Sequence, residues 1–168
     1  MTKKDLRQPK STIAVLCKIT GTGVIICTVL LLGILTLPRV LGYQMFNVIS
    51  GSMEPEISVG SLIFVEDADP LLLKQGDIIA FNRSESVVCH RVIDNNTFSG
   101  LLTTKGDANE IEDPETVNYD DFIGLVKNHI PYLGGIGAYI STFSGKLLCF
   151  ELLVVGIILH LIADRLNS

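Results

Sequence analysis

Three stretches of this 168-residue chain hold residue types that can do acyl-transfer chemistry: Ser50-Gly51-Ser52-Met53-Glu54-Pro55, the strand-like Val87 to Ile93 around His90, and the acid-rich Thr104 to Thr116. A serine hydroxyl is a weak nucleophile and needs a neighbouring base to take its proton. The glycine beside Ser52 lets backbone approach a substrate closely, but the stretch by itself also reads as a plain turn. In Val87 to Ile93 side chains alternate faces, so His90 shares one with Val88 and Val92. Val87, Cys89, Arg91 and Ile93 take the other. A histidine on an apolar strand face is either a core residue bonded to a backbone carbonyl or a base. The alternation argues against a Cys89/His90 couple, because the two point apart. In the third stretch, Asp107, Glu110, Glu112 and Asp113 allow a solvated surface loop, a calcium loop, or a carboxylate that orients an imidazole. Their spacing does not follow the EF-hand pattern. Nothing within the loop chooses among the remaining readings.

Two apolar runs flank these residues. Ile19 to Leu37 holds no charge and no proline, close to the ~20 residues that cross ~30 Å of hydrocarbon. Lys3, Lys4, Arg7, Lys10 and Lys18 precede it against a single Asp5, a local net of +4 that places this end inside. A cleaved signal peptide is the competing reading. The run is longer than a usual h-region, and Leu37-Pro38-Arg39-Val40-Leu41 is too bulky for a small-x-small site. Leu147 to Ile162 is a shorter run containing Glu151 and His160, read as a second span with a membrane-docked helix as its alternative. The expected order is a cytoplasmic segment 1–18, a transmembrane helix 19–37, an extracytoplasmic domain 38–146, a second transmembrane helix 147–162 and a cytoplasmic end 163–168.

Composition fits that order. Hydrophobic residues make up 48% and mean hydropathy is +0.45, high for a purely soluble domain. Arg39 to Lys146 carries 7 basic against 15 acidic residues, a net of −8 that argues against nucleic acid and against a polybasic lipid-binding face. The cysteines Cys17, Cys27, Cys89 and Cys149 fit neither a metal spacing nor a disulfide framework. Short β-rich runs are expected at 61–65, 78–81, 87–93, 97–105 and 122–130, with Asp94-Asn95-Asn96 as a turn. Helical periodicity is absent until the C-terminal run. The fold class is therefore a mainly β, antiparallel ectodomain between an N-terminal and a C-terminal transmembrane helix. His129, before Pro131 at a strand end, and His160, among apolar residues, read as structural.

The motifs in this order resemble type I signal peptidases. Ser50 to Pro55 after an N-terminal anchor looks like that family's nucleophile motif. His90-Arg91-Val92 looks like the base motif of its endoplasmic-reticulum type, also found in archaea and some Gram-positive bacteria; bacterial-type members carry lysine there. Lys105-Gly106-Asp107 followed by Asp113 resembles the next motif, and matches run from about Asn47 to Tyr139, including Ile123-Gly124 and Pro131 to Gly134. A C-terminal span is less general in the family and suggests a prokaryotic member. The resemblance implies that Ser52 attacks the scissile carbonyl and that His90 takes its proton and passes it to the leaving amine. It further implies that Asp113 orients His90, and that Asp107 supports the site through the same network or by holding the loop. It does not separate which aspartate contacts His90. The backbone N–H of Ser52 and the hydroxyl of Ser50 are the implied oxyanion donors.

The implied substrates are secretory preproteins with small residues at −1 and −3 of the cleavage site, bound by adding a strand to a sheet edge. Membrane lipid and the secretion machinery are the other expected partners; no metal and no cofactor is expected. Ser52 lies 15 residues after Leu37, a short tether that keeps it near the outer face of the cell membrane. Two rival readings stand beside this one: a catalytically inactive membrane-anchored β-domain of the secretion complex, and a calcium-binding surface module built on Asp107 to Asp113. A histidine base has a reference pKa of ~6.5, so activity should rise through a single ionisation near pH ~6–7. A pH–rate profile that rises only above about pH 8.5 would assign the base to a lysine instead, Lys105 first.

Overall fold

The computed structural model describes residues 12–166 and divides into two units. One is helical and lies within Met1–Ile34 and Ile140–Ser168; the other, Leu35–Tyr139, carries the sheet. The basic cluster Lys3, Lys4, Arg7 and Lys10 falls outside the described residues.

The sheet unit is built from seven strands: β1 (Gln44–Asn47), β2 (Leu62–Glu66), β3 (Ile78–Arg83), β4 (Ser86–Asn96), β5 (Leu101–Lys105), β6 (Val117–Asn118) and β7 (Phe122–Ile130). They form one sheet in the order β1-β2-β7-β3-β4-β5-β6, with every pair antiparallel. The strand period of two sorts its side chains into two buried clusters. Ile79 and Phe81 of β3, Val92 of β4, Leu102 of β5 and Val117 of β6 pack with Leu73. Ala80 of β3 and Ile63 and Val65 of β2 pack instead with Met53 and Ile57, and Cys89 lies against them. In the β3–β7 pairing Ala80 faces Gly124 while Phe81 faces Phe122, a bulge of one residue. That slip is why Phe122 and Leu125 both reach the first cluster.

The sheet departs from the sequence expectation in definite places. Asp94-Asn95-Asn96 is not a turn: β4 runs through Asn96, and its pairing with β5 shifts between Val92 and Asp94. The turn comes later, where the Asn96 side chain accepts the N–H groups of Phe98 and Ser99. β5 accordingly starts at Leu101 rather than Thr97. β1 and β6 were not expected, nor was the short helix α2 (Gly134–Ser141). The glycines of α2 permit close approach: the Gly134 N–H bonds the Gly60 carbonyl, and a Cβ on Gly134 would overlap Asn47.

The helical unit contains α3 (Phe143–Leu166) and, up to Ile34, α1 (Thr12–Val40); these two helices contain the expected spans 147–162 and 19–37 and extend past both. Both are long and apolar enough to cross a membrane, with mean hydropathy 2.2 and 2.3 over their most apolar windows. Pro38 and a left-handed Gly42 (φ 93°) mark the end of α1, where the Tyr43 N–H returns to the Pro38 carbonyl. Within the unit the helices meet through small residues, since a Cβ on Gly21 would stand 2.9 Å from the Gly156 carbonyl oxygen. Thr22 Oγ1 lies 2.9 Å from His160 Nε2, and Lys18 pairs with Asp164 at 3.5 Å. His160 is thus a structural partner of α1.

One glycine tests the sheet's tightest crossing. A Cβ on Gly124 would overlap the Glu66 carbonyl oxygen and press on Val65 across the β2–β7 pair. Gly135 in α2 has open space around it. Gly124→Ala should cost about 1–3 kcal/mol in denaturant unfolding followed by near-UV circular dichroism, while Gly135→Ala should not. Equal stability of the two variants would refute the packing argument.

Candidate active site

The turn that carries Ser52 is anchored by the residues after it. Met53 and Ile57 are buried in the second cluster, and the Ile57 N–H bonds the Met53 carbonyl. Glu54 closes the turn by accepting the Val59 N–H at 3.0 Å. From the other side, Ala108 N–H donates to the Ser52 carbonyl at 2.9 Å. This approach needs Gly106, where a Cβ would stand 2.5 Å from the Ser52 carbonyl oxygen and 3.1 Å from His90 Nε2. Ser52 Oγ then lies 3.1 Å from His90 Nε2, within hydrogen-bond reach.

His90 sits on β4 opposite Ile79 and is 7% exposed. Its ring meets the Phe81 ring edge-on at 6.2 Å between centroids. The Nδ1 atom lies 2.6 Å from Asp113 Oδ2, and that oxygen also accepts from the fully buried Thr104 hydroxyl at 2.7 Å. Thr104 faces Val92 across the β4–β5 pair, and its carbonyl accepts the Asp113 N–H at 2.8 Å. One threonine thus holds both the backbone and the carboxylate of Asp113. Among the described residues, Asp113 is the carboxylate on His90.

Asp107 goes elsewhere. Arg91, one residue after His90 and hence on the opposite face, makes a two-pronged pair with it: Nε to Oδ1 at 2.8 Å and Nη2 to Oδ2 at 2.6 Å. Arg91 Nη1 also donates to the Gly76 carbonyl. The hydrogen bond to Asp107 raises the Arg91 pKa further, against the opposing effect of burial. Of the two supporting roles open to Asp107, the geometry is that of a loop holder. Cys89, also on that face, has its thiol pushed up to about 12, chiefly by burial and then by the Asp107 charge. It therefore stays a neutral thiol at physiological pH, which fits its packing role.

Ser50 Oγ is 3.3 Å from Ser52 Oγ. Among the described residues nothing accepts the Ser52 N–H, so this implied oxyanion donor is free to turn to a ligand, while the Ser50 hydroxyl is shared with Ser52 Oγ. The described residues contain no group of three or more His, Cys, Asp or Glu side chains placed to hold a metal. Asp107 and Asp113, the core of the calcium reading, are instead bound to Arg91 and His90. His129 is in β7 opposite Ile63.

Thr104, Arg91 and Arg83 were not assigned site roles from sequence. For Thr104 a signal existed, since it continues the buried face of Leu102 along β5. Arg83 Nη1 is 3.6 Å from Asp113 Oδ2, a pairing across 30 residues that no local pattern encodes.

No family model matches the chain. Individual relatives do. Signal peptidase I W of Bacillus subtilis is 43% identical over 86 residues, 48% of this chain and 45% of the relative. The signal peptidase complex catalytic subunit SEC11 of Lodderomyces elongisporus is 33% identical over 106 residues, 56% of this chain and 63% of the relative. SEC11 of Schizosaccharomyces pombe is 29% identical over 128 residues, covering 57% and 66%. The chain thus spans about half to two thirds of the length of the curated relatives it matches. By sequence it is similar to the type I signal peptidases, on the side of that family represented by the endoplasmic-reticulum catalytic subunits and a Gram-positive relative.

Proposed function

We propose that the chain is a membrane-bound serine endopeptidase that cleaves N-terminal signal peptides from exported preproteins. The observation that carries this reading is the unbroken line Ser52 Oγ, His90 Nε2, His90 Nδ1, Asp113 Oδ2, with steps of 3.1 Å and 2.6 Å at its two hydrogen bonds. Ser52 Oγ adds to the scissile carbonyl as His90 Nε2 takes its proton. Asp113 accepts the Nδ1–H, fixes the tautomer and stabilises the imidazolium. The developing oxyanion is met by the Ser52 N–H and the Ser50 hydroxyl, each such donor typically worth about 2.7–4 kcal/mol. His90 then protonates the leaving amine, and a water molecule, deprotonated by His90 in turn, releases the acyl group from Ser52.

Lysine is poorly placed for the base role. Lys105 pairs in register with Arg91, on the strand face away from His90, and its Nζ reaches the Glu110 carbonyl at 3.4 Å. For orientation, the meeting of Lys18 with Asp164 puts the start of α1 beside the end of α3, which supports a hairpin with both ends on one side. The positive flank before α1 assigns that side to the cytoplasm and the sheet unit to the outer side of the cell membrane. The secretion machinery is the expected setting for such an activity. The inactive β-domain remains the second reading, favoured by no observation at the site.

Processing of a model preprotein in membranes decides between these readings. Wild type should release the mature domain, and Ser52→Ala at matched expression should lower the rate by on the order of 10⁶, to background. Equal processing by both would assign the activity to another residue or protein. Shallow pockets for alternate side chains should also make the enzyme reject leucine at −3 relative to alanine. Equal cleavage of the two preproteins would end that substrate assignment.

A further inference from the structure

Asp113 Oδ2 carries more than His90 and Thr104. The Arg83 guanidinium lies 3.6 Å from the same oxygen, too far for a hydrogen bond but close enough for a direct ion pair. Two other contacts keep it there. Arg83 Nη2 donates to the Glu115 carbonyl at 2.8 Å, and its Cζ sits 5.1 Å from the centroid of the Phe81 ring. Phe81 in turn packs against the His90 ring. Arg83 is therefore fastened at the end of β3, next to a carboxylate that is only 5% exposed.

The geometry points to Arg83 as a positioning residue that holds a permanent positive charge against the carboxylate of the Ser52–His90–Asp113 line and so weakens that carboxylate's hold on a protonated His90. Arg83 lies within roughly 6 Å of His90 Nδ1, the most that legs of 3.6 Å and 2.6 Å allow. The other charges around His90 offer no equivalent. Arg91 on β4 is neutralised by Asp107 on the opposite face, and Lys105 on β5 shares that face. Glu54 is turned to the Val59 N–H, and Glu56, Glu110, Glu112 and Glu115 are exposed. Among the described residues, Asp113 and Arg83 are thus the charged pair that addresses the His90 Nδ1 side. A unit charge ~6 Å away at an effective dielectric constant of ~40–80 shifts a titration by about 0.5–1 pH unit. Removing a cation favours the imidazolium, so the titration moves up without Arg83.

The test uses the full chain in detergent with isotope-labelled histidine, titrated by NMR, the His90 signals being assigned with His129→Gln and His160→Gln. In Arg83→Gln and Arg83→Met the His90 midpoint should rise by about 0.5–1 pH unit, while Arg83→Lys should stay within about 0.2 unit of wild type. Arg83→Gln keeps a donor for the Glu115 carbonyl, so it separates charge from loop anchoring. Preprotein cleavage should show the same shift in its acid limb. An unmoved midpoint in both neutral variants overturns the proposal. So does a uniform loss of rate with the acid limb in place, or folding of Arg83→Lys alone, since either makes Arg83 merely structural. Only the kinetic arm rests on the peptidase reading: if wild type processes no preprotein, that reading fails and the imidazole titration still decides the role of Arg83.

Discussion

A carboxylate that is nearly out of water must be held by donors, and this constraint at Asp113 organises the whole site. Its Oδ2 takes the Thr104 hydroxyl and the His90 ring N–H, with Arg83 alongside. Breaking one member of such a buried set leaves a charge without its partners, which is costly. The loop after β5 therefore has a single economical closure, with the Asp113 N–H on the Thr104 carbonyl and its carboxylate on the Thr104 hydroxyl. That closure brings Gly106 and Ala108 against the Ser52 carbonyl and so fixes the Ser52 turn as well. Ser52 reaches His90 because Asp113 has somewhere to go.

The two aspartates cannot exchange places, and the reason is the strand period. His90 and Arg91 are consecutive on β4 and point to opposite faces, so each selects its own carboxylate. Arg91 offers a planar fork that suits a two-pronged pair, and Asp107 meets it with both oxygens. His90 offers one N–H, and Asp113 gives it one oxygen. The same alternation puts Cys89 into the second apolar cluster, where burial keeps its thiol neutral and away from Ser52. A single run of three residues thus separates packing, catalytic geometry and loop anchoring without any irregularity in the backbone between them.

Much of this was legible in the sequence because it depends on periodicity and motif spacing. The faces of β4 and the two apolar helices are local patterns, and the fold class follows from them; roles for Ser52, His90, Asp107 and Asp113 came only with the resemblance of their motifs to a family. What was not legible depends on partners far along the chain. Asp94-Asn95-Asn96 has turn composition, yet Asn95 Nδ2 donates to the Pro70 and Leu73 carbonyls and its Oδ1 accepts the Tyr119 hydroxyl. These tertiary bonds keep the residues in β4 and override local preference. The edge strands β1 and β6 have four and two residues, too short for an alternation to stand out. The need for a glycine at 134 is set by Asn47 and Gly60, far along the chain. The division of labour between Asp107 and Asp113 needed the β4–β5 register, which a bulge shifts by one residue.

With His90 as the proposed base, the site has different needs from one built on lysine. A lysine base works near neutral pH only when burial strips its ammonium of water, which demands a deep apolar pocket around the nucleophile. A histidine needs no such pocket, only an orienting acceptor on its far nitrogen. The site accordingly spends its buried polar contacts on Asp113 and leaves Ser52 partly exposed, with Ser50 beside it open to solvent. An opening of this kind suits a substrate that is an extended backbone lying along the surface rather than a small molecule enclosed in a cavity. The anion behind the ring is Asp113, and Arg83 is the fixed cation that β3 and the Glu115 carbonyl hold against it.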